Sequence, residues 1–281
     1  ICLLVAIVLH AHGPTLDTKQ LHLVGGFPGG IGFAIAFAVF SFVGFESATA
    51  FGAEAKAPLV TIPRAVIGSV IFATAFFVVA TYAEIVGLRH AGQPLDKQQF
   101  PLQTLVDVYG LGYLAIPITI GAVFSAFSVC LACITTAGRI GYAMAQEKLF
   151  PPIFARIEPK HGTPNVAVTV VTATTAAVAL LALAARIAPI DIFNDCGTLS
   201  SFGFILIYML TAIAAAVYCR RLGVLRAADL AVSAVAVLLL LLAAVTLFYP
   251  VPAPPQRWFG YSFVAFVGVG FVWFRATRAN G

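Results

Sequence analysis

An all-α, polytopic membrane protein is the fold class this sequence predicts, and three observations predict it. Of 281 residues, 61% are hydrophobic and only 10% charged, where a soluble domain carries about a quarter charged residues. Mean hydropathy is +1.00. Apolar runs of about 20 residues recur along the chain, the length an α-helix needs to cross a hydrocarbon core of roughly 30 Å. Soluble and intrinsically disordered classes are excluded on these grounds.

The elements follow in order. The chain opens with ICLLVAIVL, apolar up to His10. That is about half a crossing, with no basic flank or small-residue cleavage site of a secretory signal. Residues 1–9 are therefore expected to be the tail of a truncated span, and the chain N-terminally truncated. Residues 10–29 are expected to form an external loop, whose His10, His12 and Asp17 are too sparse for a metal site. Seven complete spans are then predicted, over 30–53, 65–87, 112–138, 165–185, 197–218, 228–248 and 259–274. Segments such as RHAGQPLDKQQFP and YPVPAPPQRW separate them and suit turns and short loops.

Charge placement orients the spans. Lys56, Arg64, Arg139, Lys148, Arg156, Lys160, Arg220, Arg221, Arg226, Arg275 and Arg278 fall on one side, against Lys19, Arg89, Lys97, Arg186 and Arg257 on the other. The richer side is expected to be cytoplasmic. The net charge of +5 thus reflects topology, and no nucleic-acid partner is implied. Around Arg220, Arg221 and Arg226, affinity for anionic lipid and ordinary positive-inside bias explain the charge equally well. Cys130 and Cys133 have CxxC spacing, which on a helix means only a shared face; no cofactor or metal is expected.

The stretch FAVFSFVGFESATAFGAEAKAP, residues 37–58, places Glu46 inside an apolar run. From Ile31 to Ser41 a helix rises about 16 Å, roughly half the hydrocarbon core. A charge at that depth costs at least about 2.5 kcal/mol and needs a partner, a proton or water. A helix broken near 42–46 meets the need. One half ends near Phe42 with carbonyls for a cation, and the other starts near Glu46 with N–H groups that favour a carboxylate. Gly44 leaves helical geometry cheaply. Close helix packing at the Gly, and a carboxyl held neutral against a neighbouring helix, explain the same residues without a break.

FSFVGFESATAFGAEAKAPLVTIPRAVIGSV resembles the sixth span and following loop of the amino acid–polyamine–organocation (APC) permeases. TTAGRIGYAMAQEKLFPPIFARIEPKHGTPNVAV resembles the exit of their eighth span and the start of their ninth. The two motifs stand in the family's order and separation. The resemblance implies a leucine-transporter-like fold, with residues 30–218 as the second five-helix inverted repeat and 219–281 as two extra C-terminal helices. It also implies that an N-terminal repeat of the same protein is missing. Phe40 matches an aromatic gate position, occupied by Trp in the arginine/agmatine exchangers of the family. Phe42, Val43, Gly44 and Phe45 match the unwound backbone that meets the substrate amino group, and Glu46 matches a glutamate linked to proton sensing.

The resemblance further implies secondary active transport of an amino acid or related amine across the cell membrane by alternating access, coupled to protons, another ion or exchange. Ser125 and Ser128 fall where sodium-coupled relatives of the fold place hydroxyl ligands, although such hydroxyls more often serve helix packing. Asp195, in IFNDCGTLSSFG, reads first as a carboxylate at the start of a helix and second as an outer gate. Arg139 is expected at the inner end of its span, meeting helix carbonyls or Glu147. An intramembrane enzyme is the competing class; it needs a nucleophile with a base, or metal ligands, at depth, and Glu46 is the only acid near the midplane. An inactive fragment of a permease is the other alternative.

Overall fold

The computed structural model describes residues 35, 38–52, 55–98, 100–160, 162–249 and 255–279. The predicted tail at 1–9 and external loop at 10–29 lie outside the described residues. The protein is a polytopic, all-helical membrane protein. Among the described residues, six helices are long and apolar enough to cross a membrane. Of the first predicted span, the described part is a shorter apolar helix, Ala38–Phe51. Phe72, Phe124 and Phe266 are 73%, 67% and 75% exposed, which lipid accommodates and water does not.

Two compact units divide the chain, one holding residues 44–137 and the other 38–43 with 138–279. In the first, α1 runs over Pro58–His90, longer at its start than the predicted 65–87. Its N-terminal prolines explain the difference. Pro58 occupies the first helical position, where its missing N–H costs nothing. Pro63 lies in the second turn and gives up only the bond to the carbonyl of Leu59. The helix stops at Gly92, whose φ of 68° lets Gln93 N–H reach back to the carbonyl of Leu88 at 2.9 Å.

The segment predicted as loop at 88–111 contains a short helix, α2, Pro101–Val108. It puts Leu105 and Val106 against Leu88, all three fully buried, with Tyr109, Leu111 and Ile118 packed around them. Tyr109 donates its phenolic hydrogen to the carbonyl of Gly87 at 3.1 Å, and burial raises the phenol pKa above its ordinary value. This cluster ties the end of α1 to the start of α3, Ala115–Gln146.

The long α3 continues to Gln146, eight residues past the predicted end of the span, and Arg139 stands seven residues before its last residue. In the second unit, the last turns of α3 pack on α4, Asn165–Ala184. A Cβ on Gly138 would stand 2.6 Å from Val168 Cγ2 and 3.1 Å from Val168 Cα. Two long helices follow, α5 over Pro189–Arg221 and α6 over Ala227–Phe248, then α7 over Phe259–Ala279. Phe202 of α5 joins them. Its ring meets Phe248 edge-on at 5.3 Å and stacks on Phe263 at 5.7 Å, and Gly260 leaves room that a Cβ would take from the Phe248 ring. Trp273 Nε1–H donates to the carbonyl of Leu149 at 3.0 Å, fastening α7 to the turn after α3.

Candidate functional site

The candidate site is the segment around Gly44. Residues 38–42 are α-helical, Val43 and Gly44 form a turn, and a 3-10 helix runs over Phe45–Phe51. Val43 N–H donates to the carbonyl of Phe40 at 3.1 Å and Ser47 N–H to that of Gly44 at 3.1 Å. Both are three-residue bonds, and between them Gly44 takes φ 119° and ψ −20°. A side chain is strained at that φ even though an added Cβ would meet nothing within 4 Å. The chain therefore leaves α-helical geometry at a residue suited to it.

Glu46 sits in the first turn of the 3-10 helix, and its carboxylate folds back onto the backbone. Gly44 N–H donates to Oε1 at 3.2 Å and Oε2 at 3.0 Å. One amide that a helix start leaves exposed is thereby satisfied by a negative group at the positive end of the turn. Thr49 Oγ1–H donates to the carbonyl of Glu46 at 2.6 Å and holds the residue from below. A carboxylate accepts from several donors at once, so the bond to Gly44 is compatible with a cationic partner. Phe42, Val43 and Phe45 are half-buried beside it.

Phe40 packs on α5. Its ring meets Phe193 with centroids 6.3 Å apart and planes at 69°, and it covers Gly197. Sequence reasoning singled out neither α5 residue; the Phe and Gly spaced four apart in IFNDCGTLSSFG are the signal that marks them. Asp195, between them, projects from the opposite side of the helix. Its place as a carboxylate at the helix start is corrected, because α5 begins at Pro189 and Asp191 is the acid of its first turn. A proline at the first helical position starts the helix earlier than the polar Asn194–Asp195 pair suggests.

The two serines of α3 are exposed. Ser128 Oγ–H donates to its own helix at the carbonyl of Phe124, 2.8 Å away, as hydroxyls in membrane helices commonly do. Among the described residues no cluster of three His, Cys, Asp or Glu could hold a metal ion.

Comparison with known proteins agrees with this architecture. The sequence model of a family described as amino acid permease matches residues 1–274. A branched-chain amino acid permease of Bacillus subtilis is 29% identical over 147 residues, covering 50% of this chain and 30% of its own length. A glutamate/serine transporter of the same bacterium is 30% identical over 135 residues, 46% of this chain and 25% of its own. An uncharacterized transporter of Mycobacterium tuberculosis is 31% identical over 207 residues, 73% of this chain and 44% of its own. The chain thus spans less than half the length of each of these relatives.

Proposed function

We propose, because the chain belongs to the amino acid permease family, that it serves secondary active transport of an amino acid or related amine by alternating access. Family membership points to a multi-pass membrane transporter and not to an enzyme. The driving ion, in this proposal, is the proton, or the reaction is exchange. The substrate ammonium meets the backbone of Phe42, Val43, Gly44 and Phe45, and Glu46 is the group through which protonation acts. Asp195 serves at an outer gate; Ser125 or Ser128 would offer a hydroxyl only to a coupling ion other than the proton.

One observation supports this most: the interruption at Gly44 with a carboxylate bonded across it, in a run otherwise apolar. Broken helices of this kind line the binding sites of transporters, since unpaired backbone is tolerated in a membrane only where it faces a cavity or protein. The relatives suggest which substrates to try first, branched-chain amino acids and then glutamate and serine. The whole protein, with any residues that flank this chain, placed in proteoliposomes with an imposed inward proton gradient should accumulate one of these labelled amino acids saturably. Preloading with the same amino acid should accelerate uptake if exchange operates. No saturable uptake of any amino acid or amine under either condition would overturn the proposal.

A further inference from the structure

The helical turn before Gly44 is fastened to α5 by one ring. The Phe40 ring lies over Gly197 so closely that a Cβ there would stand 3.0 Å from Cζ and 3.3 Å from Cε1. Carbon atoms prefer about 3.5–4.0 Å, so a side chain at residue 197 would make the ring give by a few tenths of an ångström. Phe193, one turn before Gly197 on the same face, supplies the wall of the seat through its edge-on contact. The carbonyl of Gly197 accepts the hydroxyls of Ser200 at 2.9 Å and Ser201 at 2.8 Å, and Ser201 is buried at 4% exposure. Both are bonds within α5 itself, from hydroxyls one turn on. Phe40's own carbonyl accepts the Val43 amide, the bond that closes the turn where the helix ends. Movement of the ring is passed along three residues of backbone to the turn itself.

We propose that Gly197 and Phe193 are positioning residues for the substrate segment: together they form a notch on α5 that fixes where Phe40, and through it the turn at Val43, stands. The inference rests on the transport reading of that segment. It makes α5 a determinant of substrate fit without contact with substrate, because any change in the notch shifts the ring and the backbone behind it.

The test is a mutant cycle on Gly197→Ala and Phe40→Leu in the protein in proteoliposomes, reading KM and Vmax of uptake together with the thermal stability of the purified protein. Gly197→Ala displaces the ring and should raise KM roughly tenfold, the scale of coupling between residues in contact, with Vmax changed less than about twofold. Phe40→Leu, which lacks the colliding Cζ and Cε atoms, should absorb the added methyl. The double variant should then return KM to that of Phe40→Leu alone. Phe193→Leu adds no volume and should raise KM in the same direction, so a poorly folding Gly197→Ala does not decide the matter. Additive KM effects in the cycle, or KM unchanged in both Gly197→Ala and Phe193→Leu while only stability or Vmax falls, would overturn the inference and leave the transport reading standing. Absence of amino acid uptake by the unaltered protein would overturn both.

Discussion

The backbone amide of Gly44 is held by the side chain of Glu46, two residues on, through both carboxylate oxygens at 3.2 and 3.0 Å. The acid thus caps the start of the 3-10 helix whose first turn it occupies, and an interruption in an apolar run gains a polar partner from within itself. The same relationship makes the carboxylate sensitive to anything that alters its charge, since a charge-assisted bond to an N–H is roughly twice as strong as a neutral one.

On the proposed transport role, Glu46→Gln removes the ionisable group and should flatten the pH dependence of uptake measured from about pH 5 to 8. Gln keeps one acceptor oxygen for the Gly44 amide, so the turn should persist and affinity at one fixed pH should fall less than the pH response does. Uptake rate and KM measured across that range check this. A wild-type pH profile surviving in the Gln variant would remove Glu46 from any protonation role.

Gly44→Ala isolates the backbone. Space is not the obstacle, since nothing lies within 4 Å of the added Cβ; the φ of 119° is. Holding a side chain there costs on the order of 1–3 kcal/mol, and the chain relieves it by rotating the turn. Uptake should be lost or reduced more than tenfold while the protein still inserts and purifies normally. Gly44→Ala with unaltered KM and Vmax would show that the turn's geometry has no part in transport.

What the sequence disclosed and what it hid have physical reasons. The long helices were legible because roughly 20 apolar residues leave few alternatives in a membrane. Attention falls on Gly44 and Glu46 because a charge amid FSFVGF is costly, yet nothing in the letters says which way the carboxylate turns. The start of α1 was hidden by Pro58, since proline both ends loops and begins helices. Eight residues of α2 are too few for periodicity to show. The notch at Phe193 and Gly197 was illegible for a different reason: it is defined by Phe40, some 150 residues away, and local pattern carries no long-range partner. Asp195 drew attention in its place because acids are conspicuous in apolar runs and glycines are not.

Tyr109 gives a pH-dependent stability with a definite sign. Burial raises its phenol pKa, and its neutral form donates to the Gly87 carbonyl. The folded-state value exceeds the unfolded one, so the contribution is complete below the unfolded pKa of about 10 and disappears as pH rises through the folded one. Tyr109→Phe should cost about 1 kcal/mol near neutral pH, the net worth of one such bond. It should also remove part of the loss of thermal stability seen on going to strongly alkaline pH. Identical alkaline profiles for the two proteins would show that the phenol does not report on the α1–α2 cluster.

Gly138→Ala tests a close helix contact of the second unit, where α3 lies against the first turn of α4. Small residues let membrane helices approach until backbones touch, and here the neighbour includes backbone. The added Cβ would stand 2.6 Å from Val168 Cγ2, 3.1 Å from its Cα and 3.2 Å from its N. The first of these can be relieved by a rotamer or a shorter side chain; the other two cannot. Overpacking of this kind costs about 1–3 kcal/mol, so the variant's thermal midpoint should drop by several degrees. Val168→Ala alone opens a modest space and should be nearly neutral beside it. In combination, Gly138→Ala with Val168→Ala should recover only part of the loss, because the Cα and N contacts remain. Full recovery would mean that the clash is with the Val168 side chain alone and that the helices stand farther apart than the backbone distances place them.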